Sequence, residues 1–424
     1  MTETSLLDRL APAPVVGVRA ERGRAWLGAH GLPDGREEAW RYTPVDVIRA
    51  ALESARPAPD LSSAIDRAMV DDLAADHGGP RLVFVNGLLA ASLSDLDQRP
   101  TGLWLGGADG LRPRRTPGAP PPQDEPVDGF HALNWAAGRD VAAVLAEPGA
   151  DPGLPVHVVH LAVPGDGVTV AHPRTVVRAG PGSRLHVIET YIGLGGRPIT
   201  NASTRILAGE EASVTYHRIV VESVGSVHVG RTGIEQARGS AVTTTSVITS
   251  GAIVRSALDV RLDGMDARVD LDGVYLPTGH ERHDNVITVE HAASRCTSTQ
   301  RFKGVVDDHG RGSFSGHVIV RPGTVGTDAT QSNPNLVLAP TAQADTRPWL
   351  EILADDVRCT HGASVGRLDH DAIFYLRSRG IPQADSRAML VEAFAAEVID
   401  AISPSSLRDW VAAAAGRRRP DASA

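Results

Sequence analysis

The chain has 424 residues, of which 42% are hydrophobic, and a formal net charge of −9 at pH 7. This length favours two or three domains, and the acidic balance argues against a nucleic-acid-binding protein, whose positive charge would be clustered. With only two cysteines, the chain does not resemble a disulfide-stabilised secreted protein. It shows no signal peptide and no apolar run of about 18 residues that would cross a membrane. We therefore expect a cytoplasmic protein that binds neither nucleic acid nor membrane.

Lysine occurs only once, at Lys303, and all other basic residues are arginines. The phosphate-binding loop of a P-loop ATPase needs a lysine directly after a glycine-rich turn, and arginine does not reproduce its geometry. Lys303 lies in "STQRFKGVV", which has no glycine-rich loop before it. The chain itself is therefore not predicted to bind ATP in this way.

Helical patterns dominate residues 1–110, which we predict to form an N-terminal helical domain with one short hairpin. Apolar residues recur at helical spacing in "RAERGRAWLGAHGLP", which ends at Gly31 and Pro33. The segment "TPVDVIRAALESA" predicts a second helix with Thr43 as its N-cap. In "RLVFVNGLLAASLSDL", the dipeptide Asn86-Gly87 predicts the turn of a β-hairpin.

A proline-rich stretch separates this domain from the rest of the chain. Residues 111–128 contain six prolines, which predicts a linker. The following segment, "HALNWAAGRDVAAVLAEPG", predicts a return to helix. We assign residues 129–366 to a core domain and residues 367–424 to a C-terminal helical domain.

Strand patterns dominate the core domain from about residue 155 onward, where valine, isoleucine and threonine alternate with polar residues. Short turns recur at steps of 29, 29, 26 and 26 residues. These turns end at Ser183, Ala212, Ala241, Ala267 and Ala293. A step of this size, with no helix between the strands, predicts a parallel β-helix of stacked coils. A propeller is the competing architecture, but its blades need about 40–50 residues.

The C-terminal domain is predicted to contain three helices. The first, "RLDHDAIFYLRSRG", ends at Gly380 with Pro382 beyond it. The second, "ADSRAMLVEAFAAEVIDAI", is amphipathic and places Leu390 and Phe394 on its apolar stripe. The third ends near Gly416. Such helices either cover the open end of a β-helix or dock a partner protein.

Cys359 and His361, in "DDVRCTHGAS", form a candidate ligand pair. In a strand, residues i and i+2 share a face and lie roughly 6.6 Å apart, and thiolate and imidazole both bind zinc or iron. A closed metal site needs about four ligands, so any metal bound here would need further ligands from another chain. The alternative is a buried cysteine beside a histidine at a strand end, and Val357, on the same face, suggests that this face points inward.

Other polar clusters suggest further roles. Asp263, Asp266, Asp270 and Asp272 could supply the acid and base of a β-helix enzyme that cleaves polysaccharides. The neighbouring glycines favour turn formation instead. The histidines at positions 280, 283, 291, 309 and 317 show no spacing typical of a metal site, and capping of turns is the simpler interpretation.

Long stretches of the chain resemble the SufB/SufD family of iron–sulfur cluster assembly scaffolds. They are "STQRFKGVVDDHGRGSFSGHVIV", "GTDATQSNPNLVLAPTAQADTRPWLEILADDVRCTHGASVG" and "LRSRGIPQADSRAMLVEAF". In the N-terminal part, "GLPDGREEAWRYTP" and "LVFVNG" resemble the SufD branch, as does "CTHGA" at 359–363. The similarity spans essentially the whole chain and is weakest at 111–128.

The resemblance implies a mainly β protein, with a right-handed parallel β-helix between N-terminal and C-terminal helical domains. It also implies a scaffold without catalytic activity, which pairs with a SufB-type chain through the β-helices and docks a SufC-type ATPase through its C-terminal helices. The only cofactor implied is a transient iron–sulfur cluster at the interface of the two scaffolds. ATP would bind to the SufC-type partner and not to this chain.

The same resemblance assigns residues to these roles. His361 matches the histidine that faces the SufB-type partner where a nascent cluster forms, and Cys359 matches a nearby thiol. The SufC-docking region comprises Arg379, Gly380, Ile381, Pro382, Leu390 and Phe394. Two alternatives remain: a polysaccharide lyase or hydrolase that uses the aspartate cluster, and a purely structural adaptor in which His361 binds no metal.

Overall fold

The structure is a computed structural model that describes residues 3–11, 17–97, 99–108 and 125–416. The predicted linker at 111–128 lies outside the described residues except for its last four positions. The α-helices are α1 (Glu3–Leu10), α2 (Val18–His30), α3 (Val45–Ser54), α4 (Arg67–Leu73), α5 (Gly129–Ala137), α6 (His370–Ser378), α7 (Gln383–Ile399) and α8 (Ser405–Gly416). Short 3-10 helices occur at Glu38–Trp40, Ser62–Ala64 and Ala91–Leu93.

Strands make up most of the chain. The early ones are β1 (Arg56–Pro57), β2 (Arg81–Val85), β3 (Leu88–Leu89), β4 (Leu103–Gly106), β5 (Ala142–Ala146), β6 (Val156–Ala162), β7 (Val168–Ala171) and β8 (Arg174–Ala179). The later ones are β9 (Arg184–Gly193), β10 (Arg197–Ala208), β11 (Ser213–Val221), β12 (Val227–Gln236), β13 (Ala241–Ser250), β14 (Ile253–Leu262), β15 (Arg268–Tyr275), β16 (Arg282–His291), β17 (Thr297–Val306), β18 (Arg311–Val320), β19 (Thr327–Val337), β20 (Gln343–Ile352) and β21 (Val357–Gly366).

The strands form two long sheets that face each other. The first sheet runs in the order β20-β18-β16-β14-β12-β10-β8-β5-β4, and the second in the order β21-β19-β17-β15-β13-β11-β9-β6-β2-β3. From β8 onward, consecutive strands alternate between the sheets, and each pairs in parallel with the strand two positions later. The chain therefore winds as a parallel β-solenoid, which confirms the predicted β-helix.

The regular step in the sequence comes from one column of turns. Gly182, Glu211, Gly239, Asp266 and Arg295 have φ between 54° and 66°. In each of these turns the left-handed residue donates its backbone N–H to a carbonyl of the next coil, at 2.7–3.2 Å. A turn that must repeat this conformation in every coil sets a nearly constant repeat length, which is the spacing found in the sequence. Glycine adopts the conformation without steric cost, so it occupies this position in two of the five coils.

The main core lies between the two sheets. It includes Val187, Tyr216 and Leu271 from the second sheet and Ile206 and Phe314 from the first. These side chains lie on the inward face of the alternating strands. Complete burial of each large apolar side chain contributes about 1.5–3 kcal/mol, so the stacked coils stabilise one another.

Helices α1, α2, α3 and α5 cover the outer face of the first sheet, whereas Val70 of α4 packs against the second sheet. Ile48 of α3 and Phe130 and Leu133 of α5 pack against Ile199 and Val229 of the sheet. A polar contact anchors the same interface.

The anchor is formed by Arg255, whose guanidinium lies 2.6 Å from the carboxylate of Asp284 and 3.9 Å from the ring centroid of Trp40. The hydroxyl of Thr43 donates a hydrogen bond to Asp284. The prediction of Thr43 as an N-cap is therefore wrong: α3 begins after Pro44 without a side-chain cap, and Thr43 holds the domain on the solenoid.

Two further local predictions had different outcomes. The hairpin at Asn86-Gly87 is confirmed, since β2 and β3 pair antiparallel around two residues with φ of 51° and 77°. The helix predicted after the linker is only half right, because α5 ends at Ala137 and the later segment "AAVLA" forms β5. A buried apolar run of this length is compatible with either structure, and parallel pairing with β8 makes it a strand.

The C-terminal helices cover the outer face of the second sheet, and not the end of the solenoid. Ala395 and Val398 of α7 and Leu407 of α8 pack against Ile219 and Val247. Among the described residues, no helix combines the length and the apolar character that crossing a membrane requires.

The only lysine in the chain links these helices to the solenoid. The ammonium of Lys303 donates to the backbone carbonyl of Phe394 at 3.0 Å, forms an ion pair with Glu397 and lies 4.7 Å from the centroid of the Phe394 ring. Lys303 therefore has a structural role, because its ammonium group ties α7 to the solenoid.

Candidate functional site

The solenoid ends in a coil whose strands are paired on one side only. β20 pairs with β18 and β21 pairs with β19, and no described strand lies beyond either of them. We call this last coil, Gln343–Ile352 and Val357–Gly366, the open end. Unpaired strand edges are sites where another chain can add its own strands or pack against them.

Large apolar side chains are exposed at the open end. Trp349 is 48% exposed and Val365 is 52% exposed, and Ile352 and Leu353 are similarly accessible. The ring of Trp349 stacks on His317 with a centroid distance of 3.9 Å. Several exposed large apolar side chains at one end of a protein favour a protein–protein interface there.

His361 lies on the inward-pointing face of the open end. It is in register with Gln331 of β19, which is in register with Gln300 of β17. Gln331 is 2% exposed and its amide donates to Gln300 at 2.9 Å. Because residues in register on parallel strands point the same way, His361 continues this inward column. No coil follows, so its ring is exposed to solvent.

The position of His361 shows which way the strand face shared by Cys359 and His361 points. The face points inward, as Val357 suggested, yet His361 is accessible because it lies in the last coil. The imidazole makes no hydrogen bond to any described residue. A partner that packs on the open end can therefore reach His361 without any rearrangement of the chain.

Cys359 is less accessible than His361. It is in register with the buried Ala329 and packs at the margin of a small cluster with Val318 and Val320. Burial raises the pKa of the Cys359 thiol, and the nearby carboxylate of Asp328 raises it further. Since the thiolate is the form that binds metal, the thiol of Cys359 is a weaker ligand here than the exposed imidazole.

The pair alone is an incomplete metal site. Among the described residues, no group of three or more histidine, cysteine, aspartate and glutamate side chains could hold a metal ion. The second cysteine, Cys296, precedes β17, two coils away from Cys359. It is fully buried and its thiol lies 3.3 Å from the carbonyl of Gly264, so it does not complete the site.

The aspartates considered as catalytic acids are paired with arginines. Asp266 contacts Arg295 at 2.7 Å, Asp270 contacts Arg268 at 2.9 Å, and Asp272 contacts Arg301 at 2.8 Å. Asp263 forms a similar pair with Arg261. A general acid for sugar cleavage needs a raised pKa, whereas the hydrogen bond from Arg295 lowers the pKa of Asp266. The geometry does not favour a polysaccharide-cleaving site.

The histidines outside the open end have structural surroundings. His291 is fully buried, with its Nε2 2.8 Å from the hydroxyl of Ser298. His280 and His309 stack on each other at successive turns, with a centroid distance of 5.0 Å. These contacts agree with the interpretation that they stabilise turns and the interior.

The residues predicted to dock an ATPase lie on the hairpin of α6 and α7. Gly380, with φ of 87°, ends α6, and Ile381 donates its N–H to Leu376 in the pattern of a helix C-terminus. Arg379 and Pro382 are exposed, and Ile381 is half-buried. Leu390 and Phe394 are also half-buried, and Phe394 contacts Lys303 of the solenoid.

Two exposed aromatic residues on α6 were missed in the sequence. Phe374 is 72% exposed and Tyr375 is 57% exposed, while the adjacent Ile373 is buried. Met389 on α7 is 45% exposed. The sequence did indicate that at least one of the two aromatic residues is exposed, because two consecutive residues next to a core residue cannot both lie on the buried face of a helix. We call Phe374, Tyr375 and Met389 the hairpin patch.

Comparison with known proteins identifies the family. A family model described as "SUF system FeS cluster assembly, SufBD core domain" matches residues 161–394. The chain is 32% identical over 394 residues to the iron–sulfur cluster assembly protein SufD of Escherichia coli K12, with 92% of this chain and 90% of that protein covered.

More distant relatives support the same assignment. A SufBD family protein of Synechocystis is 28% identical over 396 residues, with coverage of 90% and 86%. A SufBD family protein of Mycobacterium tuberculosis is 26% identical over 416 residues, with coverage of 95% and 94%. The chain therefore belongs to the SufBD family of iron–sulfur cluster assembly proteins, and it is SufD-like.

Proposed function

We propose that this chain is a non-catalytic scaffold subunit of a cytoplasmic iron–sulfur cluster assembly complex. It pairs with a SufB-type chain through the open end and docks a SufC-type ATPase through the hairpin of α6 and α7. The observation that carries the proposal is the exposed imidazole of His361 on an unpaired, apolar solenoid end. ATP is bound by the ATPase partner, and this chain alone holds no cofactor stably.

The chemistry of His361 suits a shared and transient ligand. Neutral imidazole binds iron near pH 7, and a nascent cluster is the cargo of the scaffold. With no third ligand in the described residues, the remaining ligands would come from the SufB-type chain. Subunit motion could then open or close the site, because separating the two chains removes ligands from one side.

Replacement of His361 tests the ligand role. In a complex co-expressed anaerobically with SufB-type and SufC-type chains, we expect His361→Ala to leave assembly of the subunits intact and to lower bound iron and sulfide severalfold. The measurement is visible absorption together with iron and sulfide content of the purified complex.

The matched control is Thr360→Ala. Thr360 is exposed on the same strand but points to the opposite face, so its replacement should leave the cluster content unchanged. If the His361→Ala complex carried the normal amount of cluster, the chain would be a structural adaptor without a metal role. If the unsubstituted chain failed to associate with the SufB-type chain, the proposed pairing would be wrong.

A further inference from the structure

A polar cleft lies where the N-terminal domain meets the last coils of the first sheet. It has a volume of about 250 Å³ and lies away from both the open end's β21 strand and the C-terminal helices. Its lining comprises Arg41, Tyr42, Arg282, His283, Arg311, Gly312, Ser313, Gln343 and Asp345. Pockets for drug-sized ligands measure about 300–1,000 Å³, so a polar cleft of this size suits a smaller, polar ligand.

Two arginines in the cleft are stacked on adjacent coils. Arg282 opens β16 and Arg311 opens β18, and the two residues are in register. Adjacent strands lie roughly 4.8 Å apart, so two guanidinium groups leave the sheet side by side. Like charges directly opposite each other on neighbouring strands are destabilising, and an anion between them would relieve this repulsion.

Neither arginine is neutralised by a carboxylate among the described residues. The guanidinium groups of Arg282 and Arg311 make no hydrogen bond and no ion pair with any described residue. Several other arginines on the same two sheets are paired with carboxylates, such as Arg255 with Asp284 at 2.6 Å, Arg301 with Asp272 at 2.8 Å and Arg321 with Glu290 at 2.7 Å. The two cleft arginines have no such partner among the described residues, and both line the cleft.

The other charged residues that line the cleft give it a net positive charge. Arg41 adds a third guanidinium from the N-terminal domain, and its ion pair with Glu38 is long, at 3.8 Å. The only carboxylate in the lining is Asp345, which accepts a hydrogen bond from Gln343 at 2.8 Å. Three guanidinium groups facing one carboxylate will attract a ligand with at least two negative charges.

From this geometry we propose that the cleft binds the diphosphate group of a small molecule. Each guanidinium presents a planar fork of donors that fits one phosphate group. Two guanidinium groups from adjacent coils therefore match two linked phosphates, and Arg41 adds a third guanidinium group from the N-terminal domain. The site goes beyond the scaffold role: none of its three arginines is among the residues proposed to bind the cluster or the partners, although Gln343 and Asp345 in its lining belong to β20 of the open end.

Binding of inorganic pyrophosphate to the full-length chain tests the site. Isothermal titration calorimetry at low ionic strength, where charge screening is weak, should show one site per chain. We expect orthophosphate to bind at least tenfold more weakly than pyrophosphate, because it engages one guanidinium fork instead of two. If ADP binds more tightly than pyrophosphate, the ligand of the cleft is a nucleotide. If pyrophosphate binds more tightly than ADP, the ligand is the free anion.

A pair of variants makes the test specific. Arg311→Gln should weaken pyrophosphate binding by roughly tenfold or more, since a charge-assisted contact to one phosphate is lost. The control is Arg184→Gln, which removes another exposed arginine at the start of a solenoid strand, outside the cleft. Absence of pyrophosphate binding, equal affinity for orthophosphate, or equal loss in both variants would each overturn the proposal.

Discussion

At the scale of single residues, a completely buried carboxylate lies in the interior of the solenoid. Glu189 of β9 is 0% exposed. It is surrounded by Thr175, Thr204, Tyr191, Tyr216 and the Nε2 of His160. Burial on its own would raise the pKa of Glu189, but the hydrogen bonds of His160, Thr175 and Tyr216 outweigh it and lower the pKa to about 2. The strand alternation placed Glu189 on the inward face, between Val187 and Tyr191.

Glu189→Gln should therefore destabilise the protein by about 2 kcal/mol, the typical contribution of a hydrogen-bonded buried charge. The amide would turn donor atoms toward hydroxyl groups that now donate to the carboxylate. Urea unfolding at pH 7 measures the change. The control Glu210→Gln removes an exposed carboxylate that pairs with Arg238, and it should change stability by no more than about 0.5 kcal/mol. Equal effects of the two substitutions would contradict this account of the interior.

The residue scale also shows where sequence reasoning had to stop. The spacing of Cys359 and His361 indicated that they share a strand face, and the register with Ala329 and Gln331 confirms it. Their different accessibility could not be predicted, because it depends on β21 being the last strand of the second sheet. The ligand role of His361 stays a prediction.

At the scale of elements, the C-terminal helices have two faces with different roles. Ala395, Val398 and Leu407 hold α7 and α8 on the second sheet. The hairpin patch on α6 and α7 points away from the protein. A helical hairpin that is anchored on one face and apolar on the other is well suited to dock a partner protein.

We expect Phe374→Ala to weaken retention of a SufC-type ATPase in a pull-down at least tenfold, because exposed aromatic residues often dominate the binding energy of interfaces. The free energy of unfolding of the chain itself should change by no more than about 0.5 kcal/mol, since the side chain is 72% exposed. The matched control is Val47→Ala on α3, which removes another exposed apolar side chain. Unchanged ATPase retention by the Phe374 variant would show that docking uses a different surface.

Strand β5, which the sequence pattern predicted to be helix, shows what a local pattern fails to predict at the scale of elements. The run "VAAVLA" has no periodicity that separates a helix from a buried strand. Ala142, Ala143 and Val144 are fully buried because β5 lies in the sheet next to β8. The pairing partner lies more than 30 residues later in the chain, so a short window of sequence does not contain the deciding contact.

At the scale of the whole molecule, buried histidines link stability to pH. Burial lowers the pKa of His172 and His217 to about 3 and that of His291 to about 4. All three are at most 6% exposed. In the unfolded chain, histidine has a pKa of about 6.5. Between these values the unfolded state binds protons that the folded state does not, so stability falls as the pH drops below about 6.5.

The free energy of unfolding should therefore decrease by about 1.4 kcal/mol per pH unit for each such histidine below pH 6.5. Glu189 adds a further loss as the pH falls from about 4.5 toward 2, because its folded-state pKa is the lower one. Urea unfolding between pH 8 and 5 measures the slope. His217→Gln should reduce the slope of the free energy of unfolding against pH, whereas His280→Gln, at an exposed position, should leave the slope unchanged. A free energy of unfolding that stays constant down to pH 5 would be inconsistent with neutral buried histidines.

The sequence alone determined the architecture, because the left-handed turn and the alternation of inward and outward residues must recur in every coil and so leave a period in the chain. It also contained the motifs that mark the family. Only the tertiary structure decided which surfaces are covered: the helices at both ends of the chain pack on the outer faces of the two sheets, and the last coil remains unpaired. Exposure of His361 and of the stacked arginines follows from contacts between segments far apart in sequence, which local spacing does not record.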